Sequence, residues 1–294
     1  MEAKVDNSPL GNAQRPSAAR KKNARKRRQR TSPLVLMNDL AASLRAPGFW
    51  LYGAWIDVTI RHRGQALGAL WNVASTAVFV LLIGTLFSRV MNGGPTYFAH
   101  LATGYVFFMF ISQNLNKSAN IFARSKTLIQ NGYVKYADYV LRLFATQLIN
   151  LAYSLIVVVL TLLITPVDFS PAVFALIFTV PLFFVVVLGM DFLLSITGAR
   201  YTDIGELLRA ILGLAMFVTP IIWVAGSGQG KSAIVGPFLY ANPFYYLVEI
   251  VRAPLVYGFV PWFEIAVVAA AAPIIWLLAG LAYAKGRSYV PLWI

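Results

Sequence analysis

The chain has 294 residues, 59% of them hydrophobic and only 12% charged, with a formal net charge of +14. Soluble domains average about 25% charged residues, so an ordinary soluble enzyme is excluded, and six long apolar runs leave no room for a large soluble domain beside them. Cysteine is absent, which excludes a disulfide framework, a thiol nucleophile and a thiolate metal site.

Residues 1–33 are polar, rich in Ala, Ser and Pro, and carry a basic run from Arg20 to Arg30. That composition predicts a disordered cytoplasmic tail. The run either docks on anionic lipid, at about 1 kcal/mol per basic residue near the surface, or serves only as a topology anchor. Residues 34–66 read as a cytoplasmic interface region. Within it, 47–63 place Trp50, Tyr52 and Trp55 beside Asp57, Arg61 and Arg63, the mixture expected of a helix lying in the membrane interface.

The remainder, 67–294, reads as a six-helix transmembrane domain. Its apolar runs fall at roughly 67–90, 97–116, 139–165, 171–198, 207–224 and 263–284, and a bilayer core needs about 20 apolar residues per helix. Lys and Arg are distributed one-sidedly. Thirteen lie in residues 1–63, five in 117–142, and four more are Arg200, Arg209, Lys285 and Arg287, leaving only Arg89, Lys231 and Arg252 on the other side. This is the positive-inside pattern. It predicts cytoplasmic termini and explains the net charge without nucleic acid. The fold class that follows is an all-α membrane protein with six transmembrane helices, an N-terminal interface helix and short re-entrant periplasmic helices.

Asn92-Gly93-Gly94-Pro95 signals a short external turn. The polar stretch from Asn114 to Asp138 is too long for a bare turn and predicts a short cytoplasmic helix around Ile121–Ile129. Thr165-Pro166-Val167-Asp168 reads as a tight external turn, and Ala199–Glu206 as an internal one. Residues 225–262 are external by topology yet apolar and aromatic. There Asn242-Pro243 is a helix start, with Asn capping the free amides and Pro at the first helical position. About ten residues to Arg252 cannot span, so the segment reads as re-entrant. Glu249 and Arg252, three apart, share a face and can pair. In the last span, Ala269, Ala272, Trp276 and Gly280 predict close helix packing.

Ala225-Gly226-Ser227-Gly228-Gln229-Gly230-Lys231-Ser232 imitates a phosphate loop. Ala225 stands where the pattern needs Gly, a helix precedes it instead of a strand, and it lies outside, where ATP is absent. The histidines, His62 and His100, lack the spaced partners of a zinc site. Asp191 is the single acid well inside a span. It is read as pairing with a basic neighbour such as Arg209, with a proton or ion relay as the alternative. No nucleophile, base and oxyanion stabiliser occur together, so the chain reads as a passageway and not as an enzyme.

At this point the residues resemble a known family. Arg61-His62-Arg63-Gly64-Gln65-Ala66-Leu67-Gly68-Ala69-Leu70-Trp71, Ala199-Arg200-Tyr201-Thr202-Asp203-Ile204 and Thr219-Pro220-Ile221 are similar to the corresponding steps of type-2 ABC exporter permeases. The run from Tyr240 to Leu255, Tyr-Ala-Asn-Pro-Phe-Tyr-Tyr-Leu-Val-Glu-Ile-Val-Arg-Ala-Pro-Leu, resembles the branch exporting O-antigen and capsular polysaccharides. The likeness covers about 45–290. It departs at Ala74-Ser75 and at Tyr133-Val134-Lys135-Tyr136-Ala137, where the family often has Pro.

The resemblance implies a homodimer in the bacterial inner membrane that binds two copies of a separate ATPase, which holds the ATP and Mg; this chain would bind no cofactor. It implies a lipid-linked polysaccharide substrate moved from cytoplasm to periplasm. A coupling loop at about 117–138, with Arg124, Lys126, Tyr133, Lys135, Asp138, Arg200 and Asp203, would seat in the ATPase. A periplasmic gate at about 225–258 would use Asn242, Pro243, Tyr245, Tyr246, Glu249 and Arg252. Trp71, Phe79, Tyr105, Phe108 and Phe217 are aromatic candidates for lining a glycan channel, although aromatics also form interface belts and lipid-facing surface. A permease of the same fold for drugs or lipids, and a membrane-embedded glycan-modifying enzyme, are the alternatives.

Overall fold

The computed structural model describes residues 33–64, 68, 70–90, 94–131, 135–167, 170–224 and 239–294. The expectations for the basic tail, Tyr133 and the phosphate-loop mimic lie outside these residues. Among the described residues every regular element is helical.

Two helices precede the first apolar run: α1 (Leu34–Arg45) and α2 (Gly48–His62). Then follow α3 (Leu70–Val90), α4 (Tyr97–Ser118), the short pair α5 (Ile121–Arg124) and α6 (Lys126–Gln130), and α7 (Tyr136–Ile164). A 3-10 turn at Pro171–Ala175 leads into α8 (Leu176–Arg200), and α9 (Ile204–Val218) follows. Beyond it stand α10 (Pro243–Arg252) with a π turn at Ala253–Tyr257, α11 (Trp262–Gly286) and α12 (Val290–Trp293).

Among the described residues four helical segments are long and apolar enough to cross a membrane: Leu70–Arg89, Tyr136–Ile164, Pro171–Arg200 and Trp262–Gly286. They carry large outward apolar side chains, among them Leu82 and Leu86, Leu163, Phe178 and Leu277. A continuous surface of that kind belongs against lipid or a partner. At about 1.5 Å per residue α7 is roughly 43 Å long, so it outreaches a hydrocarbon core of about 30 Å. Its first three turns, from Ala137 to Gln147, are buried apart from Arg142, and Ala137, Tyr139 and Val140 join a core with α1, α5, α8 and α11.

The other two apolar runs differ from the sequence expectation. The second becomes α4, long enough to span but less apolar, because His100, Gln113, Asn114, Asn116 and Lys117 interrupt it. It tolerates them because it is the central post, packed against α3, α7, α8, α9 and α10 and buried on nearly every face. The fifth run, expected over 207–224, is helical only to Val218. Thr219 is extended (ψ 133°), as the residue before Pro220 is steered to be. At roughly 22 Å α9 falls short of the hydrocarbon thickness. The cytoplasmic helix expected at Ile121–Ile129 is two pieces broken at Ser125.

Packing falls into two main cores. The larger gathers Phe107, Phe108, Ile111, Phe183, Val187 and Leu247. The second joins Leu36, Phe122, Tyr139, Phe192, Ile196 and Tyr283. Lipid tails are as apolar as these side chains, so van der Waals fit and not water expulsion holds the membrane part together. Small residues permit that fit. Gly189 of α8 meets Trp276 of α11, and Gly280 meets Pro33. Ala272 lies buried in the packed face as expected, whereas Ala269 faces outward.

Candidate functional site

One end of the bundle is built around an unwound backbone. Between Thr219 and Val224 the chain leaves the helix, so its carbonyls need partners that the bilayer cannot supply. Each of three receives one side chain. Arg252 Nη1 donates to the carbonyl of Pro220, Tyr97 Oη donates to Ile222 at 2.6 Å, and His100 Nε2 lies 3.2 Å from that of Trp223. Donation from Nε2 leaves His100 Nδ1 to accept from Tyr257 Oη at 2.6 Å, which assigns the neutral tautomer from the network. Trp223 Nε1 closes back on Phe217 O at 2.9 Å.

The helix α10 is pinned to the same segment. Asn242 Oδ1 accepts from Phe244 N at 2.9 Å, with Pro243 at the first helical position, so the cap forms as its sequence predicts. Asn242 Nδ2 donates to Thr219 Oγ1 at 2.7 Å. Tyr246 Oη donates to Tyr240 O at 2.9 Å, and Tyr245 Oη reaches Glu264 Oε1 at 3.5 Å. Glu249 and Arg252 pair as expected and are only 6% and 2% exposed. The Arg252 guanidinium lies against Gly104, where an added Cβ would meet Nη1 at 3.3 Å. Gly258, at φ 70°, ends the segment in the left-handed region open to glycine. Asn242, Tyr246, Glu249 and Arg252 therefore act together, with Tyr97, His100 and Thr219, which sequence reasoning missed. A polar pair three residues apart on an apolar helix, Tyr97 and His100, was the available signal.

The turn between α4 and α7 is two-faced. Phe122 and Ile129 are buried in the second core, while Arg124, Lys126 and Leu128 point outward. The turn is wedged against α8 and α9. A Cβ on Gly198 would lie 2.0 Å from the Ala119 carbonyl oxygen, and one on Gly205 would lie 2.5 Å from Asn120 Nδ2. Lys135 is exposed, and Asp138 is buried in the first turn of α7, where the helix dipole favours a carboxylate. Arg200 stacks over Tyr201 and Trp293, its guanidinium 5.1 and 5.8 Å from their centroids, and Asp203 is exposed beside it. Arg142 holds α2 through a bidentate bond to Asp57 at 2.7 and 2.6 Å. Both side chains are partly exposed, so the pair contributes at most about 1 kcal/mol and serves chiefly to orient α2. Asp39 accepts from Tyr283 Oη at 3.0 Å and from Arg287 at 3.1 Å, fastening α1 to α11.

The aromatic candidates are not gathered in one place. Phe79 and Tyr105 stack at 3.9 Å, Phe108 is sealed in the core edge-on to Phe244, and Trp71 and Phe217 face outward. Asp191 corrects the expected pairing with Arg209. It is fully buried, accepts from Ser118 Oγ at 2.6 Å, and forms no salt bridge among the described residues, whereas Arg209 is exposed.

Residues 53–256, well over half of the chain, match the ABC-2 type transporter family. No curated protein matches the chain.

Proposed function

The chain belongs to the ABC-2 type transporter family, whose members are permease subunits that work with an ATPase, and we propose that it exports lipid-linked polysaccharide of the O-antigen type. It would act as a homodimer in the bacterial inner membrane with both termini in the cytoplasm and two copies of the ATPase bound there. The one-sided distribution of Lys and Arg supports the orientation. The outward stripe of Leu207, Ile211, Leu214 and Phe217 on α9 is an apolar face free for a second copy.

The α10 segment carries the reading. Its run from Tyr240 to Leu255 resembles the polysaccharide branch, and its helix is capped, buried and tied by side chains to the unwound segment at Thr219 and Pro220 instead of lying loose at the surface. A gate that bears on a passing polymer needs such a rigid, protein-satisfied element. On the opposite side, Lys126 and Leu128 form the exposed face that would seat in the ATPase, with Lys135, Arg200 and Asp203 at its margins.

Deletion of the gene followed by glycan analysis tests the reading. Polymer is expected to accumulate inside the cell and disappear from the surface. Normal surface glycan with altered drug tolerance would refute it and favour a permease for drugs.

A further inference from the structure

Two cavities meet at Arg61, and their walls share an unusual property. The first, of about 320 Å³, lies where α2, α4, α5 and α7 converge and is lined by Arg61, Lys117, Arg124 and Tyr139. Its one acid among the described lining residues, Asp57, has both oxygens taken by Arg142. Among the described residues Arg61, Lys117 and Arg124 therefore share this wall with no acid free to answer them; Lys117 donates only to the neutral Gln113 Oε1 at 3.4 Å, and both guanidinium groups act electrostatically on its ammonium. Tyr139 is 1% exposed, and its hydroxyl has no hydrogen-bond partner among the described residues.

The second cavity, of about 110 Å³, continues from Arg61 between α3, α4 and α7; beyond that guanidinium its described wall is neutral and polar, with Asn72, Ser75, Gln113, Gln147 and Asn150. Asn72 donates to Asn150 Oδ1 at 3.1 Å, and Asn150 donates to Gln147 Oε1 at 3.4 Å. Gln147 Nε2, buried, has no partner among the described residues. Both unpartnered wall atoms, Tyr139 Oη and Gln147 Nε2, can donate. Buried polar groups are normally satisfied, so two idle donors beside three unanswered cations describe a site for an acceptor-rich anion.

We propose that Arg61, Lys117 and Arg124, with Tyr139, bind the phosphate of a lipid headgroup, and that the amide-lined cavity receives the hydroxyls of the sugar attached to it. The lipid source follows from α2. Its exposed Leu51, Tyr52, Trp55 and Ile60 are the apolar face of an interfacial helix, which sets Arg61 at headgroup depth. Isolated cations could hold any anion. The neutral hydrogen-bonding cavity directly beyond Arg61 selects one whose phosphate carries a hydroxylated group. The inference rests on the export reading above and deepens it by placing substrate capture beside the coupling turn.

Native mass spectrometry of the full-length protein in nanodiscs tests it, with three probes: a polyisoprenyl diphosphate bearing one N-acetylhexosamine, the same diphosphate without sugar, and phosphatidylglycerol. The triple variant Arg61→Gln, Lys117→Gln, Arg124→Gln is expected to bind both diphosphates at least tenfold more weakly. Tyr139→Phe removes an idle hydroxyl, so it keeps its thermal stability yet also weakens both. Gln147→Met weakens only the sugar-bearing probe. Unchanged binding in all three variants, or phosphatidylglycerol bound as tightly as the diphosphates, overturns the proposal. If deletion strains accumulate polymer while all the variants bind and export as wild type, the site fails and the export reading stands. If deletion leaves surface glycan normal while the variants lose diphosphate binding, the export reading fails and the site stands.

Discussion

Arg252→Met is expected to destabilise the protein by about 3–5 kcal/mol, because it strands Glu249 as a buried charge. The carboxylate is 6% exposed, and among the described residues its salt-bridge partner is Arg252. The same substitution frees the Pro220 carbonyl, which Arg252 also occupies, and an unsatisfied buried acceptor costs about 1–3 kcal/mol. Adding Glu249→Leu removes the stranded charge but not the orphaned carbonyl. The double variant is therefore expected to recover most of the loss and to settle about 1–3 kcal/mol below wild type. Equilibrium unfolding of all three variants in detergent, read as a double-mutant cycle, checks this. Additive losses from the two substitutions would show that the pair does not hold α10. Export is expected to fail in the single variant even where folded protein remains, since α10 loses the bond that fixes it to the unwound segment.

Gly198→Ala is the second large effect. Its Cβ would stand 2.0 Å from the Ala119 oxygen and 2.7 Å from the carbonyl carbon, so backbone and not a flexible side chain must move. Overpacking costs about 1–3 kcal/mol, occasionally more, and this geometry places the substitution at the top of that range. The displaced element is the turn from α4 into α5, so export and substrate-stimulated ATPase activity should fall further than the melting temperature implies. Gly213→Ala is the control. Nothing lies within 4 Å of its Cβ, and the change should be neutral or stabilising by up to about 1 kcal/mol through helix propensity. Equal damage from the two substitutions would show that α8 does not position the turn from α4 into α5.

Much of the architecture was legible because its signals are local. Apolar length reports spans, Asn-Pro reports a cap, and a three-residue spacing reports the Glu249–Arg252 pair. The early end of α9 was readable from Pro220, although hydropathy alone carried the run onward to residue 224. The first helix, Leu34–Arg45, was not singled out. Its buried Val35 and Leu36 and its polar Asp39 make sense only against α11, more than 200 residues away. The carbonyl partners of the unwound segment were invisible for the same reason, since Tyr97 and His100 reach it across 125 and 123 positions. Asp191 illustrates the limit from the other side. Charge arithmetic sought a cation, while the fold placed Ser118 of α4 against it. Phe108 entered the channel list as an aromatic of the second span, but α4 is buried on most faces and turns that ring inward.

The most direct measurement of the central claim is polymer uptake into inside-out vesicles containing this chain and its ATPase. Lipid-linked polysaccharide is expected to become protected from added glycosidase only when ATP and both subunits are present, and the Gly198→Ala protein should not support that protection. Protection without ATP or without the ATPase subunit, or none with the complete system, would contradict an ATP-driven polysaccharide exporter.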